Sequence, residues 1–223
     1  MKRLAFAACL APLVVLVAQA VTGGLGANPI ARVTAVTGTW TLRLLLLTLA
    51  VTPVRRLTGW NEVVRYRRML GLFAFFYGCL HLTTYVVLDQ FFAFDQILKD
   101  IAKRPFITVG ATALLLMLPL AVTSTAAWVR RLGGRNWQRL HRLVYVSAIG
   151  GVVHYYWVVK ADTTRPLRYA GALFLLLGAR AWFWSRPQSI PRRRVVVQGV
   201  VRAPATASVP ARWPADGNAG RAE

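Results

Sequence analysis

This chain has little negative charge and few groups that could ligate a metal. Seven Asp and Glu stand against 28 Lys and Arg, with two cysteines and three histidines. Cys9 and Cys79 fall inside separate apolar runs, which excludes a disulfide framework and a cysteine-built zinc or iron–sulfur site. There is no H-E-x-x-H, no P-loop and no G-x-G-x-x-G after a strand. Zinc peptidase, NTPase and self-contained nucleotide-dependent dehydrogenase activities are thereby excluded. No acid sits mid-run, which argues against a proton-coupled carrier.

What the chain does have is apolar length. Hydrophobic residues make up 56% of it, and six runs approach the span of a bilayer, at 4–21, 36–53, 69–88, 106–123, 142–159 and 167–184. The expected fold is an all-α integral membrane protein, a six-helix transmembrane bundle over residues 1–185. A basic Pro/Ala-rich tail follows over 186–223 and is expected to be disordered. The first run also resembles a secretory signal, with Lys2 and Arg3 before it and Ala18-Gln19-Ala20 at its end. Its apolar length favours a retained span.

The net charge of +21 follows this topology. Lys2 and Arg3, the arginines between 55 and 68, those between 130 and 142, and those of the tail fall on one side. Asp89, Asp95, Asp100 and Asp162 offset the fewer cations on the other. Such alternation places both termini in the cytoplasm and argues against nucleic acid as a partner.

The histidines lie within or at the edge of these runs, where ionisable groups are costly unless satisfied. His81 is about 18 Å along the third span from Met69, and His154 is about 20 Å beyond His141 on the fifth. Their matching depth allows His81 and His154 to clamp one haem iron, for which imidazole is a standard axial ligand. Bis-histidine ligation suits electron transfer, since no axial position is left for oxygen. His141 stays near the cytoplasmic end. Arg67 lies about 21 Å nearer the cytoplasm than His81 and about 40° around the helix from it. A guanidinium pairs with carboxylates rather than iron, so a second haem there has one ligand and one basic neighbour. On one ideal helix His141 and His154 point about 140° apart; either Gly150-Gly151 bends or re-winds it or lets a porphyrin approach the backbone closely, or the two sites face different neighbours. Arg43 reaches either a propionate of the outer haem or the interface, and Arg180 is expected to snorkel. The plain alternative for each histidine is a core residue hydrogen-bonded to a neighbouring helix.

The segments TWTLRLLLLTLAVTP, RYRRMLGLFAFFYGCLHL and NWQRLHRLVYVSAIGGVVHYYW closely resemble the MsrQ (YedZ) family. These are haem-binding membrane subunits of the bacterial MsrPQ methionine sulfoxide reductase system, within the ferric reductase-like transmembrane group. The resemblance covers nearly all of residues 1–185. In that group spans three and five each carry two histidines and hold two stacked b haems. Here His141 and His154 match span five, His81 matches one position of span three, and Arg67 stands at the other. The resemblance further implies flavin mononucleotide and a place in the bacterial inner membrane. It implies as partner the periplasmic molybdopterin enzyme MsrP, which repairs oxidised envelope proteins. The donor would be quinol or a cytosolic flavin reductase, and the catalytic site would belong to the partner. The rival readings are a stand-alone cytochrome b reducing ferric iron or oxygen, and a non-redox transporter or assembly factor.

Overall fold

The structure is a computed structural model that describes residues 1–159 and 161–185. The tail expected at 186–223 lies outside the described residues. Among them the secondary structure is entirely helical. The long helices are α1 (Lys2–Val21), α2 (Pro29–Thr58), α3 (Val64–Thr83), α5 (Pro105–Val122), α8 (Leu143–Val158) and α9 (Thr164–Ser185). Each coincides with one of the six apolar runs. α1, α2, α5, and α3 with its π-helical extension Thr84–Asp89, are long and apolar enough to cross a membrane. α8 has 16 residues, about 24 Å, and α9 carries Arg165, Arg168 and Arg180.

Three shorter α-helices lie between those runs: α4 (Phe94–Lys103), α6 (Ala126–Leu132) and α7 (Gly134–Leu140). α4 is amphipathic. Phe94 and Leu98 are exposed, while Asp100 is buried, bonded by Tyr85 (3.0 Å) and paired with Arg104 (3.2 Å). That pattern suits a helix lying along an interface.

The bundle is organised around α2, α3, α5 and α8. α3 packs along α2, and α8 packs along α5. Small residues let the backbones close up. Gly71 and Gly78 of α3 face Thr48 and Thr41 of α2, and Gly150 of α8 faces Ala113 of α5. α3 and α8 share no comparable interface. They stand diagonally across the bundle, and the three histidines lie on this pair or at its edge.

α1 is attached by an unusual device. Pro12 removes one rung of its hydrogen-bond ladder. The hydroxyl of the fully buried Tyr77 on α3 enters the next rung, accepting from the Leu13 N–H (3.1 Å) and donating to the Cys9 carbonyl (2.9 Å). The neighbouring helix thus compensates for the proline.

Candidate functional site

His81 lies near the end of α3 and His154 near the end of α8, and the fold brings their rings together. The ring centroids are 6.1 Å apart with planes at 79°. A metal–imidazole bond is about 2.0–2.1 Å, so two rings sharing one metal have centroids roughly 6 Å apart. The observed spacing fits that arrangement.

Each ring is held from behind in the same way. His81 Nδ1 donates to the Thr34 carbonyl of α2 (3.0 Å), with Thr37 Oγ1 at 3.5 Å. His154 Nδ1 donates to the Phe106 carbonyl of α5 (2.7 Å). One turn beyond each carbonyl is a glycine, Gly38 and Gly110. A Cβ at Gly38 would stand 3.0 Å from His81 Nδ1, and one at Gly110 would stand 2.6 Å from His154 Nδ1. The absent side chains are what let the rings reach the backbone. Because a carbonyl can only accept, Nδ1 carries the proton in both rings and Nε2 keeps its lone pair. Neither Nε2 has a hydrogen-bond partner among the described residues.

Gly38, Gly110, Thr34 and Phe106 were not singled out by the sequence reading. The available signal was a glycine interrupting an apolar helical run, which commonly marks close packing.

The second group lies nearer the opposite end. His141 does not share a helix with His154, because it caps α7 and the chain turns before α8 starts at Leu143. The 140° separation expected from one continuous helix therefore does not apply. α8 runs unbroken through Gly150 and Gly151, and a Cβ at Gly150 would stand 3.1 Å from that of Ala113. The His141 ring stacks on Trp137 (3.9 Å) and its Nδ1 donates to the Trp137 carbonyl (3.1 Å); the backbone of Leu120 lies close by, and the ring's buried Nε2 has no hydrogen-bond partner among the described residues. Arg67 is half-buried within electrostatic reach of both His141 and Arg180.

Arg180 does not snorkel. It turns into the bundle, bonding the Leu49 carbonyl (2.9 Å), Thr52 (3.0 Å) and the Tyr145 hydroxyl. Arg43 is not gathered with the histidines. It lies on another face of α2, with Nε on the Tyr169 hydroxyl (2.9 Å) and its guanidinium over Trp40 (5.0 Å).

Apolar helices at bilayer length place this chain among multi-pass membrane proteins, and the comparisons give its family. The family model described as ferric reductase like transmembrane component matches residues 37–152. The chain is 51% identical over 188 residues to the protein-methionine-sulfoxide reductase heme-binding subunit MsrQ of Herminiimonas arsenicoxydans, covering 83% of this chain and 86% of that one. It is 58% identical over 175 residues to the Rhodospirillum rubrum MsrQ, covering 78% and 84%. With Xanthomonas campestris pv. campestris strain 8004 MsrQ it shares 48% over 211 residues, 92% and 94%. No solved structure matches. The chain belongs to the MsrQ family and is a multi-pass membrane protein.

Proposed function

We propose that this chain is the haem-bearing electron-transfer subunit of a periplasmic methionine sulfoxide reductase, carrying electrons across the bacterial inner membrane. The observation that carries the reading is the facing pair His81 and His154, with both Nδ1 atoms bound to carbonyls and both Nε2 atoms unengaged. Haem b, when bound, supplies a reversible one-electron couple. The chain's own part is to ligate through two fixed nitrogens, to hold their tautomers, and to surround the site with apolar helices. Second-partner hydrogen bonds of this kind orient a ligand ring and raise its basicity.

His141 supports a second haem position toward the other end, because its buried Nε2 is the atom a metal would take. Arg67, and not a second imidazole, is its basic neighbour. Arg43 is not an iron ligand on this reading; its hydrogen bond among the described residues goes to Tyr169. The flavin mononucleotide rests on the family resemblance alone. We assign residues 1–185 to one haem-binding domain of six spans with both termini cytoplasmic, and α1 to the mature protein because Tyr77 bonds it. The cation-rich end then faces the cytoplasm, where it attracts a flavin reductase or anionic flavin, with quinol as the other donor. The acceptor on this reading is the molybdopterin subunit MsrP.

The test mixes pre-reduced protein with the purified periplasmic reductase and a methionine sulfoxide substrate, following haem absorbance. Rapid reoxidation that requires both is expected. Equal reoxidation by ferric chelates or oxygen, with no gain from the reductase, would replace this reading with a stand-alone transmembrane reductase.

A further inference from the structure

On the side of α2 away from His81, a groove of about 1160 Å³ runs between α1, α2 and α9. Its floor is small and aliphatic, including Ala8, Ala11, Leu46, Leu47 and Ala50. The groove is lined by Arg32, Arg165 and Arg168 toward the proposed outer end and by Arg43 further along α2, and no carboxylate among the described residues lines it. The exposed Asp162 lies close by. Its carboxyl is held below its ordinary value first by hydrogen bonds from Thr164, then by the charges of Arg165 and Arg168. That single acid cannot neutralise four arginines.

Arg43 is the informative one. Only its Nε has a hydrogen-bond partner, the Tyr169 hydroxyl, among the described residues. Tyr169 lies about 7.5 Å inside the end of α9, so this guanidinium sits below the rim beside aliphatic side chains, where an uncompensated charge is costly. The proposed outer side is also the one with few cations, yet Arg165 and Arg168 line the same groove as Arg43. Isolated snorkelling arginines would spread around the bundle.

We propose that the groove binds an anionic phospholipid of the outer leaflet. Its phosphate sits among Arg43, Arg168 and Arg165, where guanidinium groups give strong charge-assisted hydrogen bonds. One acyl chain descends over Leu46, Leu47 and Ala50. Between Arg43 and Ala50 α2 descends about 10 Å, an apolar length that a chain fills and a soluble anion leaves empty. Tyr155 lines the groove, follows His154 in sequence and packs on Tyr169 at 5.8 Å. The lipid therefore covers the membrane-facing side of the wall beside the histidine pair. The proposal needs the membrane orientation but not the haem assignment.

The experiment uses the full-length protein in nanodiscs of phosphatidylcholine containing a minority of phosphatidylglycerol. After gentle release, native mass spectrometry identifies the retained molecules. Wild type is expected to keep phosphatidylglycerol in preference to phosphatidylcholine. Retention should fall about tenfold, the scale of one lost charge-assisted contact, in Arg43→Gln and in Arg165→Gln/Arg168→Gln. Lys99→Gln, which alters an exposed cation on α4 outside the groove, should retain the lipid as wild type does. Leu47→Trp fills the floor without changing charge and should also reduce retention, and circular dichroism checks the helix content of every variant. Equal retention of both lipids, unchanged retention in the arginine and Leu47 variants, or a flavin nucleotide as the anion they release would overturn the proposal.

Discussion

A ring that is to hold a metal through one nitrogen must have the other fixed, and this chain fixes two rings by one repeated local construction. In α2 the Thr34 carbonyl and Gly38 receive His81; in α5 the Phe106 carbonyl and Gly110 receive His154. Gly110→Ala would place a methyl group 2.6 Å from Nδ1 of His154, so the ring must leave its carbonyl. Overpacking of this kind costs about 1–3 kcal/mol. Haem content of the purified variant should fall well below wild type, and Gly38→Ala, with its 3.0 Å contact, should show a smaller loss. At the other end, His141→Ala should lower the haem-to-protein ratio without removing the signal of the first site. Arg67→Ala should weaken the inner haem less, because a guanidinium neighbours it without ligating iron. Pyridine haemochrome assay against protein concentration measures both. The pairing of His81 with His154 was legible from depth along two spans. The glycines were not, because spacing within one helix says nothing about which neighbour presses on it.

Among the elements, α1 depends most on a single side chain. Tyr77→Phe would leave the Leu13 N–H and Cys9 carbonyl to bond each other across a gap that the hydroxyl now fills. Leaving buried polar groups poorly paired costs about 1–3 kcal/mol each. The variant should unfold at lower temperature, and hydrogen exchange at the α1 amides around Leu13 should quicken while α5 stays protected. The six long helices were legible because apolar length is a strong signal. The turn at His141 was not, because LHRLVYVS carries no Pro or Gly to mark it. α4, α6 and α7 were missed for a related reason. Short helices on a membrane surface owe their stability to the interface as well as to their own sequence.

For the whole molecule, charge and site lie along one axis. The arginine-rich end accumulates Arg55, Arg56, Arg67, Arg68, Arg130, Arg131 and Arg139, and the histidine pair lies near the other end. Long-range attraction to such an end speeds encounter with an anionic donor and weakens with salt. Reduction by a cytosolic flavin reductase should therefore slow as ionic strength rises, whereas delivery from quinol within the bilayer should not, and stopped-flow reduction across a salt series separates them. The central claim is that His81 and His154 share one iron. Its most direct test is the low-temperature optical spectrum of the purified wild type beside His81→Ala and His154→Ala. The account predicts a reducible low-spin, six-coordinate b-type spectrum in the wild type, with that component lost in either variant. Full retention of low-spin haem in both variants would contradict it.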